Sequence, residues 1–131
     1  MTSKSVFSIL KKVLALLMMA HGMTTLVSGT VPEFGSYLTA EGFPAGLALA
    51  WAITLLEITG ATCILIGRLE KLAAVFFIIE LTAGIILIHA KAGWFVVGPT
   101  SGGMEYNVFL IICFILVMLE RSAENKDTPG D

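Results

Sequence analysis

Residues 50–67 read AWAITLLEITGATCILIG, an apolar run broken by one charged side chain, Glu57. A membrane-spanning helix needs about 20 predominantly apolar residues, and this run with its flanks has that length. An acid at the bilayer centre costs at least about 2.5 kcal/mol, so a chain that keeps one normally turns it inward and uses it. The rest of the sequence is read outward from Glu57.

The composition agrees with a membrane protein. Of 131 residues 56% are hydrophobic and 14% charged, whereas soluble domains are about half apolar and a quarter charged. The length suits one four-span unit without a second domain. The net charge of -2 and the scattered lysines and arginines give no nucleic-acid footprint. Cys63 and Cys113 each lie inside an apolar run at different expected depths, which favours two unpaired packing cysteines over a disulfide.

Four spans are expected, at about 10–29, 46–67, 72–90 and 105–119. Residues 1–12 carry Lys4, Lys11 and Lys12 among apolar residues, an interfacial lead-in whose lysines snorkel to headgroups. A basic start and an apolar run also describe a signal peptide, with Leu26-Val27-Ser28-Gly29 as a passable cleavage region. Three further spans hold the chain in the membrane in either case, and residues 10–29 are read as a span. In the first loop, Pro32 can open and Gly42 close a short helix at 32–41 with Phe34, Tyr37 and Leu38 on one side, as in an interfacial helix. Residues 67–71 form a tight charged turn. Residues 91–104 hold Gly93, Gly98, Pro99, Gly102 and Gly103 beside an interfacial aromatic pair, Trp94 and Phe95. The polar stretch 120–131 is expected to fray.

Seven basic residues (Lys4, Lys11, Lys12, Arg68, Lys71, Arg121 and Lys126) fall on one side of these spans, and Lys91 alone on the other. By the positive-inside rule both termini are cytoplasmic. The expected fold is all-α: an integral membrane four-helix bundle, up-down-up-down.

Helical spacing places the interior polar groups. Ala50, Thr54, Gly60, Ala61 and Ile64 lie within about 60° of Glu57 at 100° per residue, while Trp51 and Leu55 fall elsewhere. On the first span His21 shares a stripe with Thr24, Thr25 and Ser28, and antiparallel packing brings it toward Glu57. On the third span Glu80 and His89 are about 180° apart, so a straight helix turns only one of them inward; a kink at Gly84 would relax this. His89 is level with Glu105, which suggests a hydrogen bond between them across the outer mouth. The candidate ligand or proton-handling residues are therefore His21, Thr25, Glu57, Glu80, His89 and Glu105, each also readable as a group that merely ties helices together. Haem is not expected, because His21 and His89 lie at different depths and no attachment motif is present. No metal is expected, since no Glu–His pair has the i, i+3 spacing of di-iron sites. No phosphate loop, CxxC pair or nucleophile elbow occurs.

Four pieces in order resemble the DoxX family of small bacterial membrane proteins: Ala20-His21-Gly22; Glu57-Ile58-Thr59-Gly60 leading to Ile66-Gly67-Arg68 and Ala73-Ala74; His89 followed by Gly93-Trp94-Phe95; and Gly102-Gly103-Met104-Glu105-Tyr106. The resemblance implies a four-span inner-membrane protein with polar positions at His21, Glu57, His89 and Glu105. Some members are linked to quinone-dependent oxidation of sulfur compounds or to membrane redox complexes for thiol and oxidative stress. The chain departs from the family pattern at Met23-Thr24-Thr25, where a lysine is common, at Glu80, where an apolar residue is expected, and at Glu120-Arg121-Ser122, which replaces a Gly-Pro-Gly ending.

The expected function is a membrane subunit or accessory of a quinone-linked redox system, with a quinone as ligand, no covalently bound cofactor, electrons from a redox-protein partner and homo-oligomers allowed. Enzymatic activity is left open, as part of a quinone-dependent oxidoreductase. The competing readings are a proton-coupled transporter or permeability factor for a small solute, and a non-catalytic membrane scaffold.

Overall fold

The computed structural model describes residues 2–98 and 101–126. Pro99, counted above among the loop-forming residues, and residues 127–131 lie outside that description, as do the side chains of residues 121–126. All regular structure among the described residues is helical: α1 (Ser3–Val27), α2 (Val31–Ala40), α3 (Gly46–Leu65), α4 (Glu70–Gly84), a π-helical turn (Ile85–His89), α5 (Ala90–Ala92) and α6 (Glu105–Lys126). Three helical segments, Ser3–Val27, Gly46–Leu65 and Glu70–Ala92, are long and apolar enough to cross a membrane.

The lead-in is helical and continuous with α1. Thr2 caps it by accepting from the Ser5 N–H at 3.3 Å, and Leu14, Ala15, Met18 and Gly22 form its buried face. Of the stripe expected on α3, Ala50, Thr54, Glu57, Ala61 and Ile64 are buried and Gly60 half-buried, with Trp51 and Leu55 exposed. Phe77 of α4 and Phe114 of α6 stack with centroids 5.2 Å apart at the centre of the apolar core. Residue pairs along α3 and α4 run in opposite order, Glu57 beside Glu80 and Gly60 beside Phe77. Those along α4 and α6 do the same, Phe77 beside Phe114 and Leu81 beside Asn107. At one end of the molecule Lys11 pairs with buried Glu70 at 3.3 Å. Glu70 is the first residue of α4, where the helix dipole also favours a negative charge.

At the opposite end α2 packs Val31 and Leu38 against Ala50, with Leu87 beside them. Two polar contacts hold it there. Tyr37 donates its hydroxyl to Leu87 O at 2.7 Å, and Lys91 bonds Glu41 at 2.9 Å. That hydrogen bond holds the Glu41 carboxyl below its ordinary value. The following loop is tied back on itself by Gly103 N–H to Phe95 O and Met104 N–H to Gly93 O, both 3.0 Å. Of the stretch 120–131, expected to fray, the helix α6 takes in residues 120–126, and the rest lies outside the described residues. Glu120, Arg121, Ala123, Glu124 and Lys126 are good helix formers, so polarity alone does not end the helix there.

Candidate functional site

Glu57, Glu80 and His21 come together from three helices. The Glu57 side chain is 4% exposed, and the His21 Nε2 atom lies 3.6 Å from its Oε1 with 71% of the histidine side chain exposed. This is an ion-pair separation without a direct hydrogen bond. Gly22 sets the approach of α1 to α3: a Cβ there would lie 3.0 Å from Glu57 Cβ and 3.1 Å from Ile58 Cγ1. A methyl group there would require Glu57 or Ile58 to give way.

From the other side the Glu80 carboxyl lies beside that of Glu57, close enough for the two to interact. Its Oε2 atom is buried and no fixed N–H or O–H donor reaches it. Two ionised carboxylates only accept, so a bond between them exists only while one of them carries a proton. The site is therefore a two-carboxyl pair, open to a third polar group at His21. Glu80, which the spacing left in competition with His89 for the interior, faces Glu57.

The depth of the site follows from the helices. His21 is ten residues beyond Lys11 on α1, and Glu80 nine beyond Lys71 on α4. At 1.5 Å per residue both are roughly 14–15 Å from the level of the lysines, half of an apolar core about 30 Å thick. With the lysines at headgroup level, the exposed imidazole would lie near mid-depth, where an unshielded polar group is costly.

The π turn settles the conflict on the third span. A π turn closes i→i+5 hydrogen bonds, seen here as Ala90 N–H to Ile85 O. The extra residue rotates everything after it by about 100° relative to an uninterrupted helix. Glu80 stays inward before the turn, and His89 comes round after it to place Nδ1 2.7 Å from Gly102 O. The carbonyl can only accept, so Nδ1 carries the hydrogen and Nε2 is left as the basic nitrogen. Asn107 of α6, buried, donates Nδ2–H to Leu81 O at 3.4 Å beside the same turn.

Two expectations change. His89 and Glu105 do not bond each other: His89 holds Gly102 O, and Glu105 Oε1 accepts from the Val96 N–H at 2.8 Å. Each finds a backbone partner in the loop before it could meet the other, so together they fix the loop rather than one mouth contact. Thr25, half-buried, donates to His21 O at 3.2 Å on its own helix, so its hydroxyl proton is not directed at the acid pair. Residue-by-residue reading of titratable groups also passes over Tyr37 and Asn107. The available signal for Asn107 is that it is the one amide in the apolar stretch 106–119. Among the described residues no group of three or more His, Cys, Asp or Glu side chains is arranged to hold a metal.

The DoxX family model matches residues 7–90, more than half of the chain. The chain belongs to the DoxX family. The match covers His21, Glu57, Glu80 and His89 and stops short of Glu105. No curated protein and no solved structure matches this DoxX protein.

Proposed function

We propose that this DoxX protein is the membrane component of a quinone-linked redox system, in which His21, Glu57 and Glu80 handle protons for a quinone headgroup reached from within the bilayer. The observation that carries this reading is the pairing at mid-depth of an outward-facing imidazole with a buried acid, 3.6 Å apart. A lipid-soluble ligand arrives laterally at that depth, and a quinone fits because its carbonyl oxygens accept hydrogen bonds while its ring and tail are apolar. When bound it would supply a two-electron, two-proton carrier. The residues would do the rest: His21 orients the headgroup and exchanges a proton with it, and the Glu57–Glu80 pair accepts or supplies that proton behind His21. Histidine and carboxylate suit this because their proton affinities can be tuned near neutrality.

The electrons come from a partner oxidoreductase, since the chain carries no redox motif of its own. In this reading α6 crosses the bilayer as the fourth helix of an up-down-up-down bundle in the bacterial inner membrane, with both termini cytoplasmic. Self-association is compatible with it. Support comes from the basic residues, which fall seven to one on the side of the termini, and from the order of paired residues on α4 and α6.

The test is equilibrium titration of the nanodisc-embedded protein with a short-chain ubiquinone or menaquinone analogue, followed by quenching of Trp51 and Trp94 fluorescence. Saturable binding is expected, weakened at least tenfold by Glu57→Gln and by His21→Ala. Absent binding, or equal affinity in both variants, overturns the reading.

A further inference from the structure

We propose that the groove between α3 and α4 beside the turn 67–71 binds one anionic phospholipid, with an acyl chain in the groove and the headgroup phosphate on Arg68 and Lys71. The groove has a volume of about 150 Å³, and no charged residue lines it. Gly60 and Ala73 lie deepest in it, half-buried and buried, while Leu56, Leu69 and Leu72 stand exposed along its edges. A slot with small residues at its base and leucines at its rims suits a methylene chain. It takes in residues 56–63 on α3 and 69–76 at the start of α4, roughly 10 Å at 1.5 Å per residue. That is less than half of an apolar core about 30 Å thick. The groove therefore stays within one leaflet and runs lengthwise from the turn, as the chain of a single lipid does.

The charges of the turn define the headgroup end. Its one acid, Glu70, is buried and paired with Lys11 at 3.3 Å. What the turn exposes are two cations, Arg68 next to Leu69 and Lys71 next to Leu72, and neither forms an ion pair among the described residues. Long basic side chains keep their charge at headgroup level while their stems cover apolar surface. A guanidinium offers a phosphate a fork of donors, and an ammonium adds a point charge. A second copy of the chain fits this face less well. A two-fold axis along the bilayer normal would bring the same cations of both copies together at one depth. His21, Glu57 and Glu80 do not line the groove, so the lipid site is separate from the proposed quinone site.

The experiment is native mass spectrometry of the full-length protein in detergent micelles, titrated with phosphatidylglycerol or with phosphatidylcholine of the same chain length. Each cation near an anionic headgroup is worth about fivefold in affinity, so one phosphatidylglycerol is expected to bind roughly thirtyfold tighter than phosphatidylcholine. Arg68→Gln/Lys71→Gln is expected to abolish that preference without moving the unfolding midpoint, since both side chains are exposed. Cys63→Trp, which fills the groove from a half-buried position, is expected to weaken the adduct at least tenfold with both cations in place. Thr59→Phe does the same from an exposed position if the tryptophan variant folds poorly. Dihexanoyl phosphatidylglycerol, whose chains are too short to fill the groove, is expected to bind at least tenfold more weakly. Equal affinity for the two lipids, a preference that survives loss of both cations, or an adduct unaffected by filling the groove overturns the site. So does a dimer formed in place of the lipid adduct.

Discussion

Alanine at position 22 would press its methyl carbon against Glu57 Cβ and Ile58 Cγ1, both close to the backbone and with little room to swing aside. Overpacking of this kind typically costs about 1–3 kcal/mol, and here it would part α1 from α3 at the point where His21 meets Glu57. Gly22→Ala is therefore expected to lower stability by that amount in reversible denaturant unfolding in detergent; a midpoint equal to wild type would contradict the close approach. Glu57 and His21 were legible as a pair because helical spacing and depth locate both. Glu80 was not. Spacing placed it opposite His89 on one helix but could not say which of them faced Glu57, since that depends on how α4 is rotated against α3.

Among the elements, the π turn was the least legible. IILIH, residues 85–89, contains no proline or glycine and reads as uninterrupted helix. Groups distant in sequence bond to carbonyls in and just before it, Tyr37 at Leu87 O and Asn107 at Leu81 O. Only Gly84 hinted at a break. Removing the tyrosine hydroxyl leaves a partly buried carbonyl without its partner, so Tyr37→Phe is expected to destabilise by about 1 kcal/mol. It should also speed amide exchange within 85–90; unchanged exchange there would argue that the turn stands alone.

The second tie of α2 predicts a pH response. Lys91 lowers the Glu41 carboxyl by hydrogen bonding to it. A carboxyl lowered on folding contributes stability above its unfolded value, about 4.3, and loses it as pH falls through the lower folded value. The effect is small because the pair is exposed. Unfolding midpoints measured from pH 6 downward should fall more steeply in wild type than in Lys91→Met; superimposable curves would show that the pair is not a tie.

At the scale of the whole molecule, the existence of long apolar helices followed from composition and run length alone, which is why the family resemblance and the helices agree over residues 7–90. Sidedness rests on charge and is separately testable. Ser5→Cys should react with a membrane-impermeant maleimide only from the cytoplasmic side, and Ser101→Cys only from the outer side; labelling of both from one side would refute the proposed topology. The proposed chemistry was the least legible, because the argument for it rests on one exposed histidine beside a buried acid pair, an arrangement that depends on three-dimensional packing.

The quinone site proposed at His21 and Glu57 is best tested by photolabelling the nanodisc-embedded protein with a photoreactive short-chain quinone and mapping the modified residues. The account predicts saturable labelling on α1 around His21 and on α3 around Ile58, lost on competition with unlabelled quinone and in His21→Ala. Labelling confined to the apolar groove of about 150 Å³ between α3 and α4, lined by Leu56, Gly60, Leu72 and Phe76, or labelling that does not saturate, would contradict it.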